Sequence, residues 1–214
     1  MDGKKDSAYI AIKQKIIEGE LKPMEAISEI ELANELQTSR TPIHQALLRL
    51  KDDGFIYIYP RKGTIVADLT LDTIHWMYET RNLLEPFLTR NACGRLPATW
   101  LEQMRKAFID VAQELEIEES EQTIRRSIEL DRELHYMICE ACPNKFIRDT
   151  MMRLNDYNQW VRVRVSHANT EYKRSVDAHL RIVEALIKNS PDAAEAEARA
   201  HIVQSEEEAF VYNQ

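Results

Sequence analysis

Residues 21–56, LKPMEAISEIELANELQTSRTPIHQALLRLKDDGFI, decide the fold of this chain. Ser28-Glu29-Ile30-Glu31 has the form of a capping box, in which a hydroxyl and a carboxylate three residues on satisfy the first free amides of a helix. The spacing predicts a helix from 29 to about Leu36. Thr41-Pro42 reads as the next start, an N-cap followed by proline at the first helical position, where its missing N–H leaves nothing unpaired. Ile43, Ala46, Leu47 and Leu50 then fall on one face, and Gly54 supplies the stop. Upstream, Ile10, Ile12, Ile16 and Ile17 give residues 7–19 a helical pattern closed by Gly19. Downstream, FIYIY and TIVA flank the turn Pro60-Arg61-Lys62-Gly63 and read as a hairpin. Three helices, the last two separated by a tight turn, and a hairpin make a winged helix-turn-helix. The same order also suits a small α+β subdomain with no part in nucleic-acid binding.

Charge sharpens that choice. The net charge of −8 speaks against nucleic acid only if it is spread evenly, and it is not. Residues 1–68 hold 10 basic and 11 acidic side chains, whereas residues 69–214 hold 18 and 25. No acid occurs from Leu36 to Lys51 or from Gly54 to Ala67, the stretches that carry Arg40, Arg49, Arg61 and Lys62. Phosphate affinity depends on the face presented, so an acid-free face on an acidic chain is compatible with DNA. On such a face Arg40 and Arg49 can meet phosphate or guanine. The amides of Thr41–Ile43 offer a phosphate the positive end of a helix, and Arg61, Lys62 and Gly63 form the tip of a wing.

From Leu69 onward there is no strand signal. Asp72 can cap a helix reaching about Arg95, and Pro97 opens one ending near Ile117. Four more fit residues 122–142, 145–167, 170–189 and 192–212. The expectation is a mainly α chain: a winged helix-turn-helix over residues 1–68 and an all-helical bundle over 69–214. At 214 residues, 44% hydrophobic and 30% charged, a disordered chain is excluded, and 5 glycines argue against a turn-rich β fold. Three cysteines make no disulfide framework, no apolar run approaches the length of a membrane helix, and the first residues lack the apolar core of a signal peptide. A cytoplasmic protein without a membrane partner is expected.

The bundle contains a constellation. Asp131 and His135 are four residues apart and share a helix face; His179 follows 44 residues later and His201 another 22, each on the apolar side of its helix. Three imidazoles and one carboxylate suit zinc, with nickel or manganese as alternatives, and leave positions for water or a ligand. Taken singly, a histidine on an apolar face is more often a satisfied core residue than a ligand. Cys139 and Cys142 with His135 form a rival set, a single CxxC without a second pair.

The stretch quoted at the outset resembles the DNA-binding domain of GntR-family transcription regulators. Leu21, Pro23, Ile27, Glu29, Leu32-Ala33, Ser39 to Pro42, Ala46-Leu47, Arg49-Leu50 and Gly54 match that pattern in order. An all-helical second domain resembles the FadR subfamily, and six helices its VanR-like branch with an FCD-type effector domain. The resemblance implies a ligand-responsive repressor that is no enzyme and binds palindromic operator DNA as a homodimer. It implies that Asp131, His135, His179 and His201 hold a divalent metal ion to which a small organic acid is recruited. It also implies that Arg81, in Arg81-Asn82-Leu83-Leu84-Glu85, faces the effector, although an ion pair with Glu85 at i+4 is the competing role. The chain departs from the family at Met24 and Gln37, where glycines are usual, and at His44 and Gln45, which stand in place of Arg-Glu at a position that reaches base edges. Two other classes compete with a regulator: a metal-dependent hydrolase or isomerase with a vestigial DNA-binding module, and an adaptor that docks proteins through its helix-turn-helix.

Overall fold

The computed structural model describes residues 2–165 and 171–211. His167 lies outside them. The order is α1 (Asp2–Ile17), β1 (Ala26–Ile27), α2 (Glu29–Glu35), α3 (Arg40–Asp52), β2 (Ile56–Tyr59), β3 (Gly63–Val66), then α4 (Leu71–Ala92), α5 (Ala98–Ile117), α6 (Glu121–Glu140), α7 (Lys145–Val165), α8 (Glu171–Ile187) and α9 (Pro191–Val211). The protein is mainly helical, with its small antiparallel sheet in the N-terminal winged helix-turn-helix.

Two compact units divide the chain: Met1–Thr70 with Gln159–Arg164, and Leu71–Asn158 with Val165–Gln214. In the first unit Ile12, Ile16, Ile43, Leu47, Leu50, Phe55, Ile56 and Val66 are buried. Trp160 of α7 packs on Phe55, ring centroids 5.5 Å apart, which ties a short piece of a distant helix into this core. Ser28 caps α2, its hydroxyl accepting from the Glu31 amide. The stop of α3 is a Schellman motif: Gly54 N–H donates to the Lys51 carbonyl at 3.0 Å and Phe55 N–H to the Leu50 carbonyl at 2.9 Å. Gly54 has φ of 84°, a left-handed conformation that glycine adopts without strain.

Several local expectations shift. The N-cap of α3 is Ser39, not Thr41, so Pro42 is the third helical residue. Its position is still harmless, because first-turn amides have no intrahelical acceptor. Helix α1 starts five residues earlier than its apolar pattern suggests, and Ile10 is exposed while Ala8 is buried. Asp72 sits within the first turn of α4 rather than capping it, and α4 ends at Ala92 rather than Arg95. A two-residue strand absent from the sequence reading, β1, pairs with β3, giving the sheet order β1-β3-β2. Two residues show no periodicity, which explains the omission.

The departures at family glycine positions have a structural counterpart. Met24 and Gln37 both have positive φ, 65° and 48°. Both positions therefore require the backbone conformation that glycine favours, and both carry a side chain there at a cost.

In the second unit the core runs through Leu88, Leu101, Met104, Phe108, Val111, Leu134, Ile138, Ile182, Val183 and Ala198. Pro86 lies inside α4. A proline removes the N–H that would bond the carbonyl four residues back, here Asn82. That carbonyl accepts instead from Arg199 Nη1 at 3.3 Å, so the helix continues with its polar groups engaged.

Candidate metal centre and nucleic-acid interface

The packing of α6, α8 and α9 brings the four expected ligands to one point. On α6 the buried positions are Thr123, Ser127, Asp131, Leu134, His135, Ile138 and Cys139, a stripe in which carboxylate and imidazole stand one turn apart. On α8 His179 lies between the buried Val176 and Ile182, and on α9 His201 follows Ala194 and Ala198, whose small side chains leave room for an imidazole. One ligand atom from each of Asp131, His135, His179 and His201 lies within 4.8 Å of all the others. His179 Nε2 is 3.0 Å from Asp131 Oδ1, His135 Nε2 is 3.6 Å from the same oxygen, and the two imidazole Nε2 atoms are 3.1 Å apart. The His179 and His201 rings approach to 4.3 Å, and Phe108 stacks on the other side of His179 at 5.6 Å.

All four are buried, with between 1% and 6% of their surface exposed. His201 Nδ1 has no hydrogen-bond partner among the described residues. A buried polar atom without a partner costs about 1–3 kcal/mol, so the cluster carries a cost that a cation would remove. Burial, and then the neighbouring His179 and His135 rings, push the His201 imidazole well below its ordinary value, which keeps a lone pair available. For His135 burial acts downward, but Glu85 and Asp131 outweigh it and lift the imidazole to about 9.

A partner missed in the sequence reading supports this group. Glu85 Oε1 is 3.0 Å from His135 Nδ1, at ion-pair distance but without hydrogen-bond alignment, on the side of the ring away from Asp131. Burial opposes the charge on Glu85, yet Arg81 and His135 hold its carboxyl far below the usual range. Arg81 is fully buried: Nε donates to Glu85 Oε2 at 2.9 Å and Nη1 to Asn158 Oδ1 at 2.7 Å. Its Nη2, also 2.9 Å from Glu85 Oε2, has no aligned acceptor. The ion pair with Glu85 and a spare donor thus coexist. The signal for Glu85 was present in the sequence as the Arg81–Glu85 spacing, but nothing there indicated that the pair was buried.

Among the described residues the cysteines join no group of ligand atoms that could hold a metal ion. Cys139 receives a hydrogen bond from Asn155 Nδ2 at 3.6 Å, and burial pushes its thiol up to about 12. Cys93, Cys139 and Cys142 are all free.

In the first unit Arg40, Thr41, His44, Arg49, Arg61, Lys62 and Gly63 are exposed. Gln45 is half-buried, with its Oε1 shielded and unpartnered. Arg49 lies over the Tyr9 ring, 4.2 Å from its centroid, and Tyr9 donates to Asp53 at 2.7 Å. Arg61 turns the wing with φ of 64°, beside Gly63 at 109°. The stretch free of acids in sequence is not free of them in space. Glu29 of α2 reaches α3, its Oε1 2.8 Å from His44 Nδ1 and its Oε2 3.4 Å from Arg40 Nη2. No described helix is long and apolar enough to cross a membrane.

Residues 4–66 match the family described as bacterial regulatory proteins, gntR family, and residues 76–204 match the FCD domain. The Nta operon transcriptional regulator of Aminobacter aminovorans is 29% identical over 85% of this chain and 82% of its own length. The HTH-type transcriptional repressor RspR of Escherichia coli K12 is 23% identical over 91% and 83%. Among solved structures, E. coli McbR/YncC superposes with a TM-score of 0.82 at 16% identity, and a GntR transcriptional regulator from Rhodococcus sp. RHA1 with 0.76 at 20%, each over 99% of both chains.

Proposed function

The chain belongs to the GntR family of bacterial regulatory proteins and carries an FCD domain, and from that premise we propose that it is a metal-containing repressor released from palindromic operator DNA by a small organic acid. That it is a DNA-binding transcription regulator and not an enzyme follows from the family. The metal, the acid, the homodimer, the repressing role and the place in the VanR-like branch of the FadR subfamily are the proposal. So is the division of labour, with residues 1–68 reading DNA and 69–214 sensing.

One observation carries it: Asp131, His135, His179 and His201 present four ligand atoms within 4.8 Å of one another in a buried site where His201 Nδ1 lacks a partner. The donor set suits zinc, nickel or manganese. A bound divalent ion would supply open positions that accept an anionic oxygen. Glu85 places a negative charge beside His135, Phe108 stacks on His179, and the spare Nη2 donor of Arg81 is suited to a carboxylate. Arg40, Thr41, His44, Gln45, Arg49 and the wing residues Arg61, Lys62 and Gly63 would meet DNA. A two-fold dimer suits palindromic sites because one recognition helix reads a half-site. Effector coupling of about 1–3 kcal/mol would change operator affinity roughly 5–150-fold.

The test is a thermal-shift screen of small organic acids against zinc-loaded and metal-free protein. An acid held by both the ion and Arg81 raises the midpoint of the loaded protein only, because stabilisation follows mass action on the bound state. Equal shifts with and without zinc contradict recruitment of the acid to the ion.

A further inference from the structure

The recognition helix differs from the family pattern where its side chains reach base edges, at His44, and the structure gives that histidine a partner from another helix. Glu29 stands in the first turn of α2, three-quarters buried, while His44 and Arg40 on α3 are 57% and 66% exposed. The carboxylate spans both: Oε1 lies 2.8 Å from His44 Nδ1 and Oε2 lies 3.4 Å from Arg40 Nη2. His44 and Arg40 are four residues apart, hence neighbours on one face of α3.

The chemistry of that contact fixes the tautomer. An ionised carboxylate only accepts hydrogen bonds, and the hydrogen bond from His44 is the main reason the Glu29 carboxyl sits below its ordinary value. Nδ1 therefore carries the proton. In a neutral imidazole the other nitrogen then has no hydrogen, so the Nε2 of His44 offers a lone pair. An arginine at this position would offer only donors, which match guanine N7 and O6. A lone pair matches the opposite set, the exocyclic amines N6 of adenine and N4 of cytosine.

We infer that Glu29 is a specificity-determining residue: by holding Nδ1–H of His44 it presents Nε2 as an acceptor, so this protein reads adenine or cytosine where an arginine would read guanine. Glu29 touches no base; it acts by positioning His44 and, through its second oxygen, by keeping Arg40 beside it as the donor of the pair. The result is an acceptor and a donor side by side on the face of α3. The inference rests on the reading of α3 as the helix that enters the major groove.

The experiment selects duplexes from a randomised pool at pH 8 with the full-length wild type, Glu29→Gln, His44→Ala and Arg40→Ala. For wild type the selected half-site is expected to hold adenine or cytosine at one position, favoured over guanine about fivefold, the worth of one hydrogen bond of about 1 kcal/mol. His44→Ala loses that preference. Glu29→Gln keeps the other positions and the salt dependence of binding but relaxes this one, because its amide can donate to Nδ1 and turn the ring to the other tautomer. Arg40→Ala weakens binding at a different position. If His44→Ala relaxes one position and Glu29→Gln selects the wild-type half-site unchanged, the role of Glu29 is overturned. If neither His44→Ala nor Arg40→Ala alters the selected sequence, α3 is not the reading helix and the premise fails instead.

Discussion

The two units place their chemistry on opposite sides of their cores. In the N-terminal unit an apolar interior of Ile12, Ile43, Leu47, Leu50 and Phe55 underlies exposed side chains proposed to meet DNA, such as Arg40 and His44. In the helical unit the groups proposed to hold metal and effector are the interior: Asp131, His135, His179, His201, Arg81 and Glu85 are all buried. An exposed charge costs little and is worth little until DNA arrives. A buried one must be paired where it stands. The N-terminal unit should therefore tolerate loss of such a side chain, and the helical unit should not.

Arg81→Met attacks the second half of that contrast and carries the largest expected effect. It nearly conserves volume but leaves Glu85 without its guanidinium partner, and breaking a buried pair on one side typically costs about 3–5 kcal/mol. Urea unfolding followed through the helical unit should show a loss of at least about 3 kcal/mol, whereas Arg40→Met should lie within about 0.5 kcal/mol of wild type. Similar small losses in both would erase the distinction between the units.

A smaller effect sharpens the first half. Met24 and Gln37 keep positive φ with side chains attached. Met24→Gly and Gln37→Gly should each stabilise the N-terminal unit by about 1 kcal/mol, the cost of the left-handed conformation less the extra freedom glycine brings to the unfolded chain. Scanning calorimetry with rising midpoints would support this, and unchanged or falling ones would contradict it.

The smallest effect concerns pH. The His44 hydrogen bond, with a lesser contribution from Arg40, holds the Glu29 carboxyl below its ordinary value, with burial opposing. A depressed carboxyl contributes stability that is fully present above its unfolded value and lost as pH falls through the folded one. The advantage of wild type over Glu29→Gln should be under about 1 kcal/mol near pH 6, because these side chains are partly exposed, and it should fade toward pH 3. An advantage that grows between about pH 6 and pH 3 would contradict the depressed carboxyl.

The same contrast explains what could be read from the sequence. Ser28, Gly54 and the wing turn act within a few residues of where they stand, so the helix-turn-helix was legible locally; the cap at Ser39 was misplaced by two residues because Thr41-Pro42 offered a plausible start of its own. The two-residue β1 had no period to detect. In the helical unit the i, i+4 spacing of Asp131 and His135 showed that they share a face. That His179 and His201 reach the same point depends on how three helices pack, and spacing alone carries no such information. Asn158, and the approach of Glu85 to His135, escaped notice for the same reason, because the partners are 77 and 50 residues away. Glu29 escaped because an acid-free run in sequence says nothing of an acid on the neighbouring helix.

Metal content decides the central claim most directly. Wild type, His179→Ala and His201→Ala, purified without a histidine tag and exposed to zinc or nickel, are dialysed and measured by elemental analysis, with circular dichroism confirming that each variant is folded. About one metal ion per chain is expected in wild type, with substoichiometric amounts in both variants, since each loses one of four ligands. Wild type without stoichiometric metal, or folded variants that retain as much as wild type, would contradict a metal centre at Asp131, His135, His179 and His201.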